Sequence, residues 1–187
     1  MSLTFKKFGY TSKSSETVKN INGFKNSNLQ LQKKLLEAYN QPLPTLEDIA
    51  LFEEQTNIQL PEDYSNFLLT INGGYPNYYY IPTIESTVDH FYPFNCPFQT
   101  SSMNDLLVLN KKDFFKDDRY NYLPIACSLG GDEYLMGLKA DGTNPIYLYN
   151  FSDLSLIDFD ESKLVFVADS FSVLLNLLVP YEKAQKL

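Results

Sequence analysis

One arginine, Arg119, stands among 187 residues, and tryptophan is absent. A forked guanidinium clamp for carboxylate or phosphate is therefore nearly unavailable to this chain. His90 is the single histidine, so a zinc triad built on several imidazoles is excluded and Ser-His-Asp catalysis loses most of its weight. The two cysteines, Cys96 and Cys127, show no metal-ligand spacing, and nothing about them requires an oxidising compartment. No Cys-x-x-Cys, Walker, Gly-x-Ser-x-Gly or dinucleotide motif occurs. The expectation is a protein without catalytic residues, cofactor or metal. No run approaches the ~18 apolar residues of a transmembrane helix. The start, MSLTFKKFGY, lacks the apolar region of a secretory leader. The expected location is the cytoplasm.

What is present is acid. Fifteen Lys+Arg against 23 Asp+Glu give a formal net charge of -8. The length suits one globular domain with an appended arm. At 44% hydrophobic residues the chain is not compositionally disordered, and it should bury roughly 70% of its unfolded surface. A surface this acidic disfavours direct nucleic-acid binding. The charge is also uneven. Residues 1–41 carry seven Lys and two acids (Glu16, Glu37), a balance of +5. Residues 42–187 carry eight basic and 21 acidic residues, a balance of -13. That field would steer a basic partner toward the domain, although solubility alone would also select for it. The 14 Tyr and 14 Phe, beside many Lys and Asn, are read mainly as compositional bias.

Residues 1–27 have no sustained periodicity and read as an irregular or partly paired arm. Leu31, Leu35, Ala38 and Tyr39 predict a helix over 28–40, which Pro42 and Pro44 terminate. Thr45 is placed to cap a helix over about 46–57, with Glu47 and Asp48 at its positive end and Leu46, Ile49, Ala50 and Glu53 along one side. Phe52 lies next to that stripe. Leu60-Pro61-Glu62-Asp63 opens another helix, whose stripe is Tyr64, Phe67, Leu68 and Ile71 and whose end is Asn72-Gly73-Gly74. Short apolar runs then alternate with Gly, Pro, Asn and Asp: Tyr78–Ile81, Val88–Phe91, Leu106–Leu109, Leu123–Cys127, Tyr134–Leu138, Ile146–Asn150 and Leu164–Ala168. Asp141-Gly142-Thr143-Asn144 suits a hairpin connection. Asp169 or Ser170 caps a last helix on Phe171, Leu174, Leu175 and Leu178, stopped by Pro180. Helices, a run of antiparallel strands and a closing helix define an α+β domain.

Few residues suggest chemistry. His90 sits beside Asp89, but adjacent strand residues point to opposite faces, so the pair is read as structural or exposed. Cys127 ends an apolar run and reads as a core residue. Gly130-Gly131-Asp132-Glu133 could shape a cation loop, but calcium needs several more oxygen ligands. A tight turn entering the strand Tyr134–Leu138, with the acids capping backbone amides, is the simpler reading. Asp117-Asp118 and Asp158-Phe159-Asp160-Glu161 read as solvated loops. The run Tyr75–Tyr80 should divide between core and surface, leaving one exposed tyrosine patch.

Three segments in order resemble a known family. They are Thr45-Leu46-Glu47-Asp48-Ile49 with Leu60-Pro61-Glu62-Asp63-Tyr64 and Asn72-Gly73-Gly74; Leu123-Pro124-Ile125-Ala126 with Gly130-Gly131-Asp132 and Ile146-Tyr147-Leu148-Tyr149; and Val167-Ala168-Asp169-Ser170-Phe171. The set resembles the SUKH superfamily over about residues 43–180. The resemblance implies a curved, mostly antiparallel sheet with N-terminal helices and a C-terminal helix packed around it. It divides the chain into a basic N-terminal arm and helix (1–42) and a SUKH-like domain (43–187). It implies a non-enzymatic immunity protein that neutralises a cognate bacterial toxin by stoichiometric occlusion, the toxin being basic and often a nuclease. The alternative it allows is a regulatory interaction module related to glucan-synthesis regulators. The implied partner-binding residues are Asn72, Gly73, Gly74, Tyr75, Tyr78, Gly131, Asp132 and Glu133, with Asn72–Gly74 equally readable as a helix cap. Neither membrane nor direct nucleic-acid contact is expected. A small-ligand binder using His90 and the tyrosine run is a third reading, favoured only if His90 and Asp132 share a deep pocket.

Overall fold

A computed structural model describes residues 2–6, 43–94, 122–139, 141–150 and 161–181. The helix expected over 28–40, the strand expected at Leu106–Leu109, Cys96 and Arg119 lie outside the described residues. Helix α1 (Leu46–Thr56) begins at a reciprocal cap. The Asp48 N–H donates to Thr45 Oγ1 at 3.2 Å, and the Thr45 N–H donates to Asp48 Oδ2 at 2.7 Å. Two of the orphan donors of the helix start are thereby satisfied. The Thr45 N–H, and after it the Thr45 hydroxyl donating to Oδ2 at 2.8 Å, hold the Asp48 carboxyl below its ordinary range. The buried stripe differs from the one expected. Ile49 and Phe52 enter the core, while Leu46 is 73% exposed and Ala50 also faces solvent. The Phe52 ring carries more apolar area than either Ala50 or Leu46, so the helix turns that side to the core.

Helix α2 (Glu62–Thr70) follows Pro61 and buries Tyr64, Phe67 and Leu68 as the spacing predicts. Its end is a chain of left-handed residues: Asn72, Gly73 and Gly74 have φ of 58°, 80° and 115°. The Asn72 N–H closes on the Phe67 carbonyl at 3.0 Å. Asn72 Oδ1 accepts from the Phe94 N–H at 2.7 Å, tying the turn to a segment 22 residues away. Gly73 lies so close to that segment that a Cβ would sit 2.7 Å from the Phe91 carbonyl oxygen and 2.8 Å from the Pro93 nitrogen. Only glycine meets both demands.

The remaining strands are short or long according to their place. Phe5–Lys6 (β1) pairs antiparallel with Tyr75–Pro76 (β2), and Tyr80–Ile81 (β3) with Ser86–Thr87 (β4). The arm is thus partly paired, as its sequence suggests. The main sheet is antiparallel in the order β5-β6-β7-β8-β9. Its strands are His90–Phe91, Tyr122–Cys127, Glu133–Gly137, Ile146–Tyr149 and Leu164–Ala168. Pro124, lacking an N–H, is accommodated beside a bulge between Pro124 and Ala126, where the Ile125 carbonyl accepts from the Tyr92 N–H at 2.8 Å. Asp141 Oδ1 accepts from the Thr143 N–H at 2.9 Å in the turn joining β7 to β8.

Helix α3 (Phe171–Leu177) is capped by Ser170, whose Oγ accepts from the Val173 N–H at 3.3 Å. Leu178 leaves the helix in an extended conformation yet stays buried. Val179 and Tyr80 then exchange backbone hydrogen bonds at 2.9 and 3.1 Å, so pairing ends the helix before Pro180. The core lies between the helices and the sheet face carrying Phe91, Ala126, Tyr134, Met136, Ile146 and Leu148. At its centre, Phe67 meets Phe91 and Phe171 with ring centroids 5.5 and 4.9 Å apart. Phe5 of β1 joins them, 5.2 Å from Phe67 and 5.8 Å from Phe91.

Two predictions follow from this packing. Gly73→Ala should lose about 1–3 kcal/mol from backbone strain and more from the close approach. Gly131→Ala, also at positive φ but with nothing within 4 Å of its Cβ, should lose only the strain. Urea unfolding of the two variants side by side measures the difference. Phe5→Ala should destabilise the whole domain by about 1–3 kcal/mol in the same assay, because a half-buried ring and its edge contacts are lost.

Candidate partner-binding site

The face of the main sheet opposite the core carries a polar row. His90 pairs with Cys127, and Cys127 with Glu133, as direct cross-strand neighbours on β5, β6 and β7. Direct partners project to the same side of a sheet, so these three side chains emerge together. Tyr92, two residues past His90, joins them, and its hydroxyl reaches the Glu133 carboxylate oxygens at 2.8 and 2.7 Å. The Tyr92 ring stands edge-on to His90, with centroids 5.4 Å apart. Tyr75 flanks the imidazole from β2 at 5.5 Å. It is 41% exposed.

Asp89 also reaches this cluster. Its Oδ2 lies 2.8 Å from His90 Nδ1, whereas strand alternation would send the two side chains apart. Asp89 precedes β5 and is not held in the pleat, so alternation does not bind it. Cys127 likewise departs from the core role expected of it. It ends β6 half-buried on the outer face, with Sγ 3.3 Å from His90 Nδ1 and 3.6 Å from Nε2. The donor atoms of Asp89, His90 and Cys127 all lie within 4.8 Å of one another. These three residues, with Tyr92, were not recognised in the sequence as site residues. They lie up to 38 positions apart, and only the strand register joins them.

The electrostatics follow from partial burial among like charges. Burial, followed by the neighbouring Glu133 charge, pushes the Cys127 thiol up to about 11. The thiol is protonated at neutral pH, which makes it a poor nucleophile. The same two causes in the same order raise Tyr92 above the ordinary phenol range. Glu133 is pushed up to about 7, chiefly by burial and against the Tyr92 hydrogen bond, with Asp132 adding to the rise.

The other expected residues divide between surface and frame. Gly131 (φ 89°) and Asp132 lie in the turn between β6 and β7. Ser128 organises that turn: its Oγ accepts from the Gly130 and Asp132 N–H groups at 3.1 and 2.9 Å and donates to Asp132 Oδ2 at 3.1 Å. A hydroxyl therefore caps the amides that the acids were expected to cap. Gly131 is exposed and Asp132 half-exposed, at the β7 end that carries Glu133. Asn72, Gly73 and Gly74 form the turn beneath Tyr75, with Gly73 and Gly74 buried. Tyr78 is half-buried and packs against the core. An exposed tyrosine patch forms elsewhere: Tyr181, 46% exposed, stacks on Tyr79 at 6.1 Å and meets Tyr80 edge-on at 5.6 Å.

An α+β domain that holds the exposed Tyr75 beside the half-buried Asp89 and Glu133 carboxylates offers groups suited to binding. The family comparison is specific. The SMI1 / KNR4 family (SUKH-1) model matches residues 43–177, and the chain belongs to that family. Domains of this family are generally non-catalytic and serve as protein–protein interaction modules. Comparison with curated proteins gave no match. No helix among the described residues is long and apolar enough to cross a membrane.

Glu133 makes the site pH-sensitive in a defined direction. Its folded-state value of about 7 lies above the ordinary 4.5. Between those values the folded protein keeps a proton that the unfolded chain has lost, so stability falls as pH rises through the window and levels off above it. Glu133→Gln, which still accepts from Tyr92, should flatten that slope. It should gain about 1–3 kcal/mol on the wild type between about pH 5 and pH 8 in urea melts.

Proposed function

We propose that this protein is an immunity protein, which neutralises a cognate toxin domain by binding it stoichiometrically and covering its working surface. The observation that carries the reading is the gathering of the exposed Tyr75 with Asp89 and Glu133 on one side of the sheet, with Asp132 in the adjoining turn. Such a surface offers hydrogen-bond acceptors and an amphipathic ring, and its complement is a lysine- or arginine-rich patch. The balance of -13 over residues 42–187 extends the same sign across the domain. Toxin domains that act on nucleic acid carry basic surfaces, because they must bind phosphates. Charge of opposite sign speeds capture and selects among partners.

In this reading Tyr75, Asp132 and Gly131 touch the partner, while Asn72, Gly73 and Gly74 act from beneath by fixing the backbone of β2. Glu133 holds Tyr92 and adds to the local field. Tyr78 contributes through packing. The protein works in the cytoplasm, where a toxin would meet its target, and requires no catalytic group.

The test is coexpression with the toxin encoded by the adjacent reading frame. Survival of the host and a one-to-one complex on purification are expected. Asp132→Lys should weaken the complex by at least about tenfold, or about 1.4 kcal/mol, and make its association rate less salt-dependent. Tyr75→Ala should mainly speed dissociation. A fully lethal toxin with no complex would overturn the proposal, and copurification with a cellular regulator would favour the glucan-regulator type of function.

A further inference from the structure

The row on the outer sheet face contains a donor set of which the proposed partner surface uses only Asp89. His90 and Cys127 are locked side by side by the β5–β6 register, and Asp89 closes the cluster from the residue before β5. A carboxylate oxygen, an imidazole nitrogen and a sulfur lie within 4.8 Å of one another. Zinc takes these three donor types, and sulfur with imidazole selects against calcium and magnesium, which prefer oxygen alone.

The distances fit an ion-free form of such a site. His90 Nδ1 faces both partners, 2.8 Å from Asp89 Oδ2 and 3.3 Å from Cys127 Sγ. Bonds of about 2.3 Å to sulfur and about 2.0 Å to nitrogen and oxygen, at tetrahedral angles, separate the ligand atoms by about 3.3–3.6 Å. An ion at Nδ1 would therefore lengthen these two contacts by about half an ångström at most, and the Asp89 oxygen and Cys127 sulfur, within 4.8 Å of each other, would settle at the same spacing. Binding would displace any proton on Nδ1 and release the Cys127 thiol proton to solvent, because the ligand forms are the neutral imidazole and the thiolate. The His90 and Asp89 side chains keep 14% and 32% of their surface exposed, which leaves an entry path. The rings of Tyr75 and Tyr92 brace the imidazole from its flanks. Glu133, the cross-strand neighbour of Cys127, adds negative charge beside the sulfur.

We propose that Asp89, His90 and Cys127 form a binding site for a divalent transition ion of the zinc type. Three protein donors leave a fourth position for water or for a group of a bound protein. The site shares Asp89 with the proposed partner surface, but its test is metal binding by the chain alone, so its failure would leave the immunity reading standing.

The experiment titrates the purified full chain with Zn²⁺ against a competing chelator and, in parallel, with Co²⁺ followed by absorption. One zinc per chain is expected, with a thiolate-to-cobalt charge-transfer band in the near ultraviolet. Cys127→Ser should abolish the band and lower zinc affinity by more than about 100-fold. Asp89→Asn should cost at least the about 10–100-fold typical of a lost outer partner. Cys96→Ser should keep both band and affinity, and because Cys127 is then the sole thiol, its spectrum assigns the sulfur ligand even if Cys127→Ser fails to fold. Absence of the band in Cys96→Ser, or zinc affinity unchanged in a folded Cys127→Ser, would overturn the proposal.

Discussion

The Gly73 backbone packs against the backbone of Phe91 to Pro93 more closely than any side chain would allow. It joins the end of α2 to the start of the main sheet with no room for a side chain. Everything on the outer face is registered from this junction. Gly74 and Phe91 exchange backbone hydrogen bonds at 3.0 Å in both directions, which sets Tyr75 directly opposite His90. The aromatic centre, Phe67 with Phe91 and Phe171, lies directly behind. The proposed binding face and the hydrophobic core thus share one piece of backbone, and a disturbance of either reaches both.

Much of the frame was legible in the sequence because its signals are local. The α2 stripe of Tyr64, Phe67 and Leu68, the Asn-Gly-Gly turn and the Thr45 cap each lie within one or two helical turns, and each was found where expected. The long strands also announced themselves, Pro124 notwithstanding, because a bulge absorbs the missing donor. Legibility failed where local rules compete with tertiary choice. In α1 the pattern allowed more than one apolar side, and only the core could choose Phe52 over Ala50 and Leu46. At Asp89 and His90 a strand rule was applied one residue beyond the strand.

The cluster around His90 was illegible for a deeper reason. Asp89, Cys127 and Glu133 come from separate parts of the chain, and what unites them is pairing register, a quantity that no single segment encodes. A lone histidine and a cysteine without ligand spacing look inert in one dimension. In three dimensions they occupy adjacent strands, share a face and sit among carboxylates. The same burial that keeps the Cys127 thiol protonated also raises Glu133, so the face is less negative than a count of its acids suggests. Charge at this site is set by the environment as much as by composition.

The pairing of β1 with β2 has a consequence for how relatives should be compared. Lys6 lies opposite Tyr75, and Phe5 completes the aromatic core. The family match begins only at residue 43. An alignment confined to the matched span therefore compares frames while omitting the strand that borders the exposed tyrosine. Two members could agree throughout that span and still present different neighbours to whatever docks there. Divergence in the leading residues is a route by which recognition could change while the domain itself stays the same.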